Sequence, residues 1–273
     1  MKLAFATLGC PAWTMEQIAA NAARMGYDGV ELRGVAGEHI GPDEPPERRD
    51  AIRKLFDDAG VQILSIMGYS RFTLEDAAQQ RNDIDVACQF LDTAKSLGCP
   101  TLRVFGGGLP ASGRDAVLQR VIEGLKRVTD KAERVGVKVA IETHDDWCGG
   151  ENLAKVLAGV NSPALGVCWD VANSFIVEPP ETTFAAIQGH IAHVHFKDIR
   201  PTPDGKHSSA LPGTGVVPLE KILGILHRAG YKGVLSFEWE KKWEPALQEP
   251  EIALPHYLRF TTGLMKKLGV PRG

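Results

Sequence analysis

An eightfold alternation of short apolar strands with helical segments predicts a (β/α)8 TIM barrel, formed as a single domain over residues 1–273. A weak internal repeat points the same way. Helical patterns end in a glycine with an apolar run close behind at MGYDGVEL (Gly26), AGVQIL (Gly60), LGCPTLRVF (Gly98) and VGVKVAIE (Gly136), and again at AGYKGVLSFE (Gly230). The first four glycines are 34, 38 and 38 residues apart, close to one-eighth of the chain and to the size of one strand–helix unit. Composition is the third observation. The 29 Gly and 17 Pro among 273 residues ask for many tight connections. At 44% hydrophobic and 24% charged residues, the chain is neither disordered, collagen-like nor a coiled coil.

The elements follow in order. Strand one, near 3–8, leads to a helix near 14–25, which Thr14 with Gln17 opens as a capping pair and Gly26 closes. Strand two, 29–33, crosses the polar segment 37–50 to a helix near 47–59, closed by Gly60. Strand three, 62–67, precedes a helix near 82–97 that ends at Gly98, and strand four, 101–105, one near 114–135 that ends at Gly136. Strands five (137–143) and six (165–170) precede helices near 151–159 and 182–188. Strand seven, 191–197, runs into PTPDGKHSSALPGTG (201–215), read as a long loop of the kind that forms lids or binding loops. Pro218 with Glu220 opens the helix near 218–229, and strand eight, 234–240, is followed by a last helix near 250–268. An open doubly wound sheet would carry a glycine-rich dinucleotide fingerprint after an early strand. LGCPAW is not one, so no nucleotide cofactor is expected.

A net charge of −3 with no basic stripe argues against a nucleic-acid partner. Five cysteines (Cys10, Cys88, Cys99, Cys148, Cys168) share no CxxC spacing and read as reduced thiols. The start MKLAFATLGCPAW is too short in its apolar run for a signal peptide, and no stretch reaches the ~18 apolar residues of a membrane span. A soluble, cytoplasmic protein without a membrane partner is expected.

In a barrel of this kind the chemistry sits at the carboxyl ends of the strands. Strand five (KVAIETH) puts Glu142 and His144 on one side, and strand six (LGVCWD) ends in Asp170. Strand seven (AHVHFKD) carries His193, His195 and Lys197 together, and strand eight (VLSFEWE) carries Ser236, Glu238 and Glu240, with Phe237 and Trp239 facing the helices. Singly, each polar residue reads as surface, cap or core histidine. Together, Glu142, Asp170, His195 and Glu238 set three carboxylates at one mouth, and a divalent cation neutralises such a cluster best. Three oxygens and one imidazole suit Mn2+, Mg2+, Co2+ or Zn2+.

These segments resemble the xylose isomerase-like TIM barrels that include sugar phosphate isomerases and epimerases. GYDGVELR (26–33), IETHDD (141–146), CWDVAN (168–173), HVHFKD (193–198), LPGTGVVPLEKIL (211–223) and GVLSFEWE (233–240) look like that family's motifs, in order, over essentially the whole chain. The resemblance implies that Glu142, Asp170, His195 and Glu238 bind one divalent metal, with Glu142 and Glu238 as the acid/base pair on opposite faces of the substrate. Apurinic endonucleases on this barrel carry a histidine three residues after the aspartate. Asn173 stands there instead, which argues against DNA repair.

The expected reaction is isomerisation or epimerisation of a sugar, keto-sugar or related polyol, by proton abstraction next to a carbonyl and a metal-stabilised enediolate. Loss of a hydroxyl beta to that carbon would instead make a dehydratase of a keto-inositol or similar polyol, and a non-catalytic sugar-binding barrel is a third reading. Candidate substrate-binding residues are His144, Lys197, Glu31, Trp13, Arg200 and Glu240. For His144 and Lys197 the alternative is to orient Glu142 or Asp198, and for Glu31 to pair with Arg33. Trp147 could wall the pocket, and His193 reads as a core histidine. The GGG at 106–108 and the Gly213/Gly215 loop could offer amides to a phosphate. The Trp- and charge-rich segment 237–260 reads as a lid edge or subunit contact, leaving homo-oligomerisation open.

Overall fold

A computed structural model describes residues 1–110 and 112–273. Eight parallel strands close into a barrel: β1 (Lys2–Ala6), β2 (Gly29–Arg33), β3 (Gln62–Met67), β4 (Thr101–Val104), β5 (Lys138–Glu142), β6 (Leu165–Asp170), β7 (Ile191–His195) and, last in the chain, β10 (Val234–Phe237). β10 lies between β7 and β1, which closes the ring. Helices α1 (Met15–Met25), α2 (Pro46–Ala59), α3 (Ala77–Ser96), α4 (Arg114–Val135) and α5 (Gly150–Val160) follow the first five strands. α6 (Val171–Val177), α7 (Pro180–Ile187), α8 (Leu219–Arg228) and α9 (Pro250–Leu268) complete the outer layer.

The turn chemistry works as the repeat implies. Gly26, Gly60, Gly98, Gly136 and Gly230 have φ of 85°, 66°, 67°, 75° and 74°, the left-handed region that glycine occupies without steric cost. Thr14 and Gln17 form a reciprocal capping box, the Thr14 hydroxyl accepting from the Gln17 amide and the Gln17 side chain from that of Thr14. The ring stack of Phe237 on Tyr257, with centroids 4.6 Å apart, seats α9 against the outer face of β10.

Two elements depart from the sequence reading. The 201–215 loop holds a two-stranded antiparallel hairpin, β8 (Asp198–Pro201) with β9 (His207–Ala210). Its turn is the PDG segment, where Gly205 has φ of 78° and its amide donates to the Thr202 carbonyl. Four-residue strands flanked by Pro, Lys and Ser carry no apolar periodicity, so only their turn was visible. The helix α6 begins directly after β6 with no loop between, because the Asp170 side chain caps it, accepting from the amides of Ala172 (2.9 Å) and Asn173 (2.8 Å).

The polar segment after β2 is not wholly solvated. His39 and Ile40 are buried, and His39 lines a cavity of about 540 Å³ with Trp13, Met15, Glu38, Arg48 and Ile52. Neither His39 ring nitrogen has a hydrogen-bond partner. Burial, the largest influence, pushes its imidazole down to about 4, aided by the charges of Arg33 and Lys242 and opposed by the nearby Trp13 backbone. In the unfolded chain it titrates near 6.5, so below that pH the unfolded state binds the extra proton. Stability should therefore fall by about 3 kcal/mol as pH drops from 6.5 to 4. Urea melts at pH 7 and pH 4.5 should show a smaller acid loss in His39→Leu than in the wild type; an identical loss would dismiss the histidine as its source.

Candidate metal centre

The register of the barrel brings the strand ends to one level. Glu142 on β5 lies opposite Cys168, Asp170 on β6 opposite His195, and His195 on β7 opposite Ser236 of β10. Alternation along each strand then points Glu142, Asp170, His195 and, just past β10, Glu238 into the mouth. All four are buried. His195 is central: its Nδ1 is 3.4 Å from Glu142 Oε1, 3.5 Å from Glu238 Oε2 and 3.7 Å from Asp170 Oδ2. One donor atom from each of the four residues lies within 4.8 Å of the other three.

The donor set fits a divalent cation. Glu142 Oε1 and His195 Nδ1 are buried without a hydrogen-bond partner, and Asp170 Oδ2, which has none either, is ion-paired with the Lys197 ammonium at 2.9 Å. Buried polar atoms are rarely left so, and these converge on one point. Three of the four are held from behind, which turns one atom of each inward. Asp170 spends Oδ1 on the α6 cap and presents Oδ2. His195 has Nε2 3.0 Å from Glu31 Oε2, so Nδ1 faces the cluster. Glu142 has Oε2 in an ion pair with Arg103, 3.0 Å from Nε though not aligned as a hydrogen bond, and turns Oε1 toward His195.

The charges are consistent with that arrangement. Burial opposes ionisation of Glu142, but Arg103 and His195 together outweigh it and lower its carboxyl. Glu238 is lowered likewise, burial being overcome by His195 and Lys197, and Asp170 by Lys197 and His195. Glu31 is held well below the carboxylate range: burial is again the largest single influence, and the paired His193 and His195 override it.

The candidate substrate-binding residues divide. Lys197 is at the centre, its Nζ 2.6 Å from Glu238 Oε2, 2.6 Å from Glu240 Oε1 and 2.9 Å from Asp170 Oδ2. It touches these carboxylates rather than Glu142 or Asp198. His144 stands at the rim, its ring tilted against Phe105 with centroids 4.5 Å apart and its Nδ1 3.0 Å from Asp145 Oδ1. Glu31 is wholly buried beneath His195, where its Oε2 also accepts from Ser236 Oγ (3.1 Å) and lies 3.3 Å from His193 Nε2. It therefore orients an imidazole instead of meeting substrate, and Arg33 above it turns to Tyr69 and Glu38. Trp13 lines the His39 cavity, and Arg200 is exposed on β8; the structure brings neither to the four-residue cluster.

Other expectations also change. Trp147 is fully buried, donating to the Gly107 carbonyl, and a Cβ on Gly106 would sit 2.4 Å from its ring; the cavity it lines, with Leu109, Arg114 and Glu151, does not include the four-residue cluster. The Gly213 and Gly215 amides are taken by Asp198 Oδ2, each at 2.9 Å, and Val217 donates to Oδ1. That loop is ordered by a buried carboxylate and has no amides there to offer a phosphate. Arg103 is the residue that sequence reading missed. Its signal was a lone charge inside the apolar run TLRVF, on the strand next to Glu142.

Comparison with known proteins agrees with this architecture. The family model described as xylose isomerase-like TIM barrel matches residues 19–258. A fructoselysine 3-epimerase of Escherichia coli O157:H7 is 24% identical over 254 residues, covering 87% of this chain and 90% of its own. An inosose dehydratase of Glaesserella parasuis serovar 5 is 24% identical over 288 residues, covering 92% and 91%. The crystal structure of an IolI protein with a bound zinc atom superposes with a TM-score of 0.83 at 20% identity, covering 98% of this chain and 99% of that one. No helix among the described residues is long and apolar enough to cross a membrane.

Proposed function

The chain belongs to the xylose isomerase-like TIM barrel family, and from that premise we propose that it is a divalent-metal-dependent isomerase or epimerase of a sugar, keto-sugar or related polyol. One observation carries the reading: four side chains from four neighbouring strands bring buried donor atoms to one point, and Glu142 Oε1 and His195 Nδ1 among them have no hydrogen-bond partner. Glu142, Asp170, His195 and Glu238 would hold the ion. When bound, the cation draws electron density from the substrate's carbonyl and hydroxyl oxygens, which acidifies the neighbouring C–H and steadies the anion left by its deprotonation.

The chain's own groups do the rest. Glu142 and Glu238 both come close to His195, 3.4 and 3.5 Å from its Nδ1. A substrate carbon between them can lose a proton to one carboxylate and gain one from the other, which inverts its configuration. Return from the same side to the neighbouring carbon isomerises instead. Lys197 holds Glu238 and Glu240 in place and offers a cation where charge builds on substrate oxygen. The epimerase relative supports this outcome. The dehydratase relative, matched over nearly the whole chain, supports a second, in which the same deprotonation expels a beta hydroxyl.

Incubation with Mn2+ in D2O against ketoses and keto-inositols separates these readings. Deuterium in recovered sugar with an altered centre is the expected result, and water loss with a new double bond or dicarbonyl marks the dehydratase. Absence of exchange across the panel, with binding retained, would sink both and leave a sugar-binding barrel.

A further inference from the structure

We infer that Arg103 is a positioning residue: by occupying one oxygen of Glu142 it fixes that carboxylate as a single-oxygen ligand with the other oxygen aimed at the cation site. The inference rests on the metal-dependent reading above and adds to it a residue outside the ligand set. Arg103 is 1% exposed, and its only ion-pair partner among the described residues is Glu142.

The guanidinium is itself held on three sides. Its Nη1 donates to the Gly68 carbonyl at 3.0 Å. Its carbon lies 4.1 Å from the centre of the Phe105 ring and 5.1 Å from that of Tyr69. Two aromatic faces and a backbone carbonyl leave the planar group little freedom, so Nε is presented to Glu142 from a fixed place. β4 and β5 pair with Arg103 opposite Ala140, one step on the same face below Glu142, so the guanidinium approaches the carboxylate from beneath the mouth. The result is a division of labour within one side chain: Oε2 to Arg103, Oε1 toward His195 Nδ1. Glu238 is held differently: its Oε2, the oxygen that faces His195, meets the Lys197 ammonium. An arginine is suited to this task because it stays charged throughout and because its rigid planar fork sets Nη1 on the Gly68 carbonyl and Nε beside Glu142 at once; a lysine carries the charge on one rotatable ammonium without that fixed geometry.

The test uses Arg103→Met, which keeps the apolar packing on Phe105, and Arg103→Lys, which keeps the charge and folds if the buried methionine variant does not. Two measurements are made on the full chain, a crystal structure without metal and a titration with Mn2+ alone followed by electron paramagnetic resonance. In the variants the Glu142 carboxylate should leave its place beside His195 or split between two rotamers. Mn2+ affinity should fall about 10–100-fold in the methionine variant and by a smaller factor in the lysine variant. A merely structural role would lower thermal stability and leave both readouts unmoved. An unmoved Glu142 with Mn2+ affinity within twofold of wild type, in whichever variant folds, overturns the inference. A wild-type chain that binds no Mn2+ overturns the metal-dependent reading instead, and the position of Glu142 in the variant crystals still decides the role of Arg103.

Discussion

Glu238→Gln, assayed at saturating Mn2+, is expected to fold as the wild type does and to lose at least about 1000-fold in kcat on whatever sugar the protein turns over. The amide has the shape of the carboxylate but cannot take a proton from carbon. The fold should survive because Lys197 keeps Asp170 Oδ2 at 2.9 Å and Glu240 Oε1 at 2.6 Å when Glu238 is neutralised. Removing one of three crowded carboxylates also relieves repulsion with Asp170. Glu142→Gln should show a similar loss of turnover with a different stability. Its partner Arg103 would be left as a buried charge without a carboxylate, which costs about 3 kcal/mol. For a chain of this size that is a fall of roughly 6–12 °C in Tm. Thermal melts of both variants beside the assays check the pair. Full activity in either variant removes that glutamate from the chemistry, and equal melting temperatures would mean that the Arg103–Glu142 pair adds nothing to the fold.

The contrast between these two glutamates also shows how far the sequence could be read. Glu142, Asp170, His195 and Glu238 were found by strand parity, since a period of two is rigid and the strand ends share a level. The eight units were legible because the glycines that close helices are spaced by the length of a strand and a helix. What parity cannot give is the partner of each residue, because partners lie across the barrel. Glu31 and Lys197 both stand among the candidate substrate-binding residues, with pairing to Arg33 and orientation of Glu142 or Asp198 as their alternatives. The one is sealed beneath His195, the other is shared among three carboxylates. Asp170 shows the converse. The ordinary reading of an aspartate after a strand as a helix cap and the reading as a ligand both hold in geometry, one oxygen for each. Asp198 and the 213–217 loop were misread because a glycine's free amide and a glycine's capped amide have the same sequence.

Glu31→Leu is expected to lower Mn2+ affinity by about 10–100-fold and to cut activity at limiting metal by the same factor. The reason lies in the two nitrogens of one ring. With Nε2–H donated to Glu31, a His195 imidazole that gives up its other proton to receive a cation would keep its lone pair on Nδ1, the atom that faces Glu142, Asp170 and Glu238. Without that acceptor, the ring gains more by moving its proton to Nδ1 and donating it to a carboxylate, which closes the position where a cation would bind. Leucine also strands His193, His195 and Ser236, all of which use Glu31 Oε2. Each buried donor without an acceptor costs about 1–3 kcal/mol, so the melting temperature should drop as well. Glu31→Gln separates the two effects. Its carbonyl oxygen can still accept from His195, so the fold should be close to wild type, while loss of the negative charge weakens the hold on the ring and gives an intermediate affinity. Excess Mn2+ should then restore most of the activity of Glu31→Gln, because the carboxylates that act on substrate are untouched. Mn2+ titrations of both variants, each checked for a cooperative melt, test the sequence of effects. If folded Glu31→Leu binds Mn2+ as tightly as the wild type, the carboxylates of Glu142, Asp170 and Glu238 must be enough to orient His195 by themselves, and Glu31 serves only to neutralise the paired histidines inside the barrel.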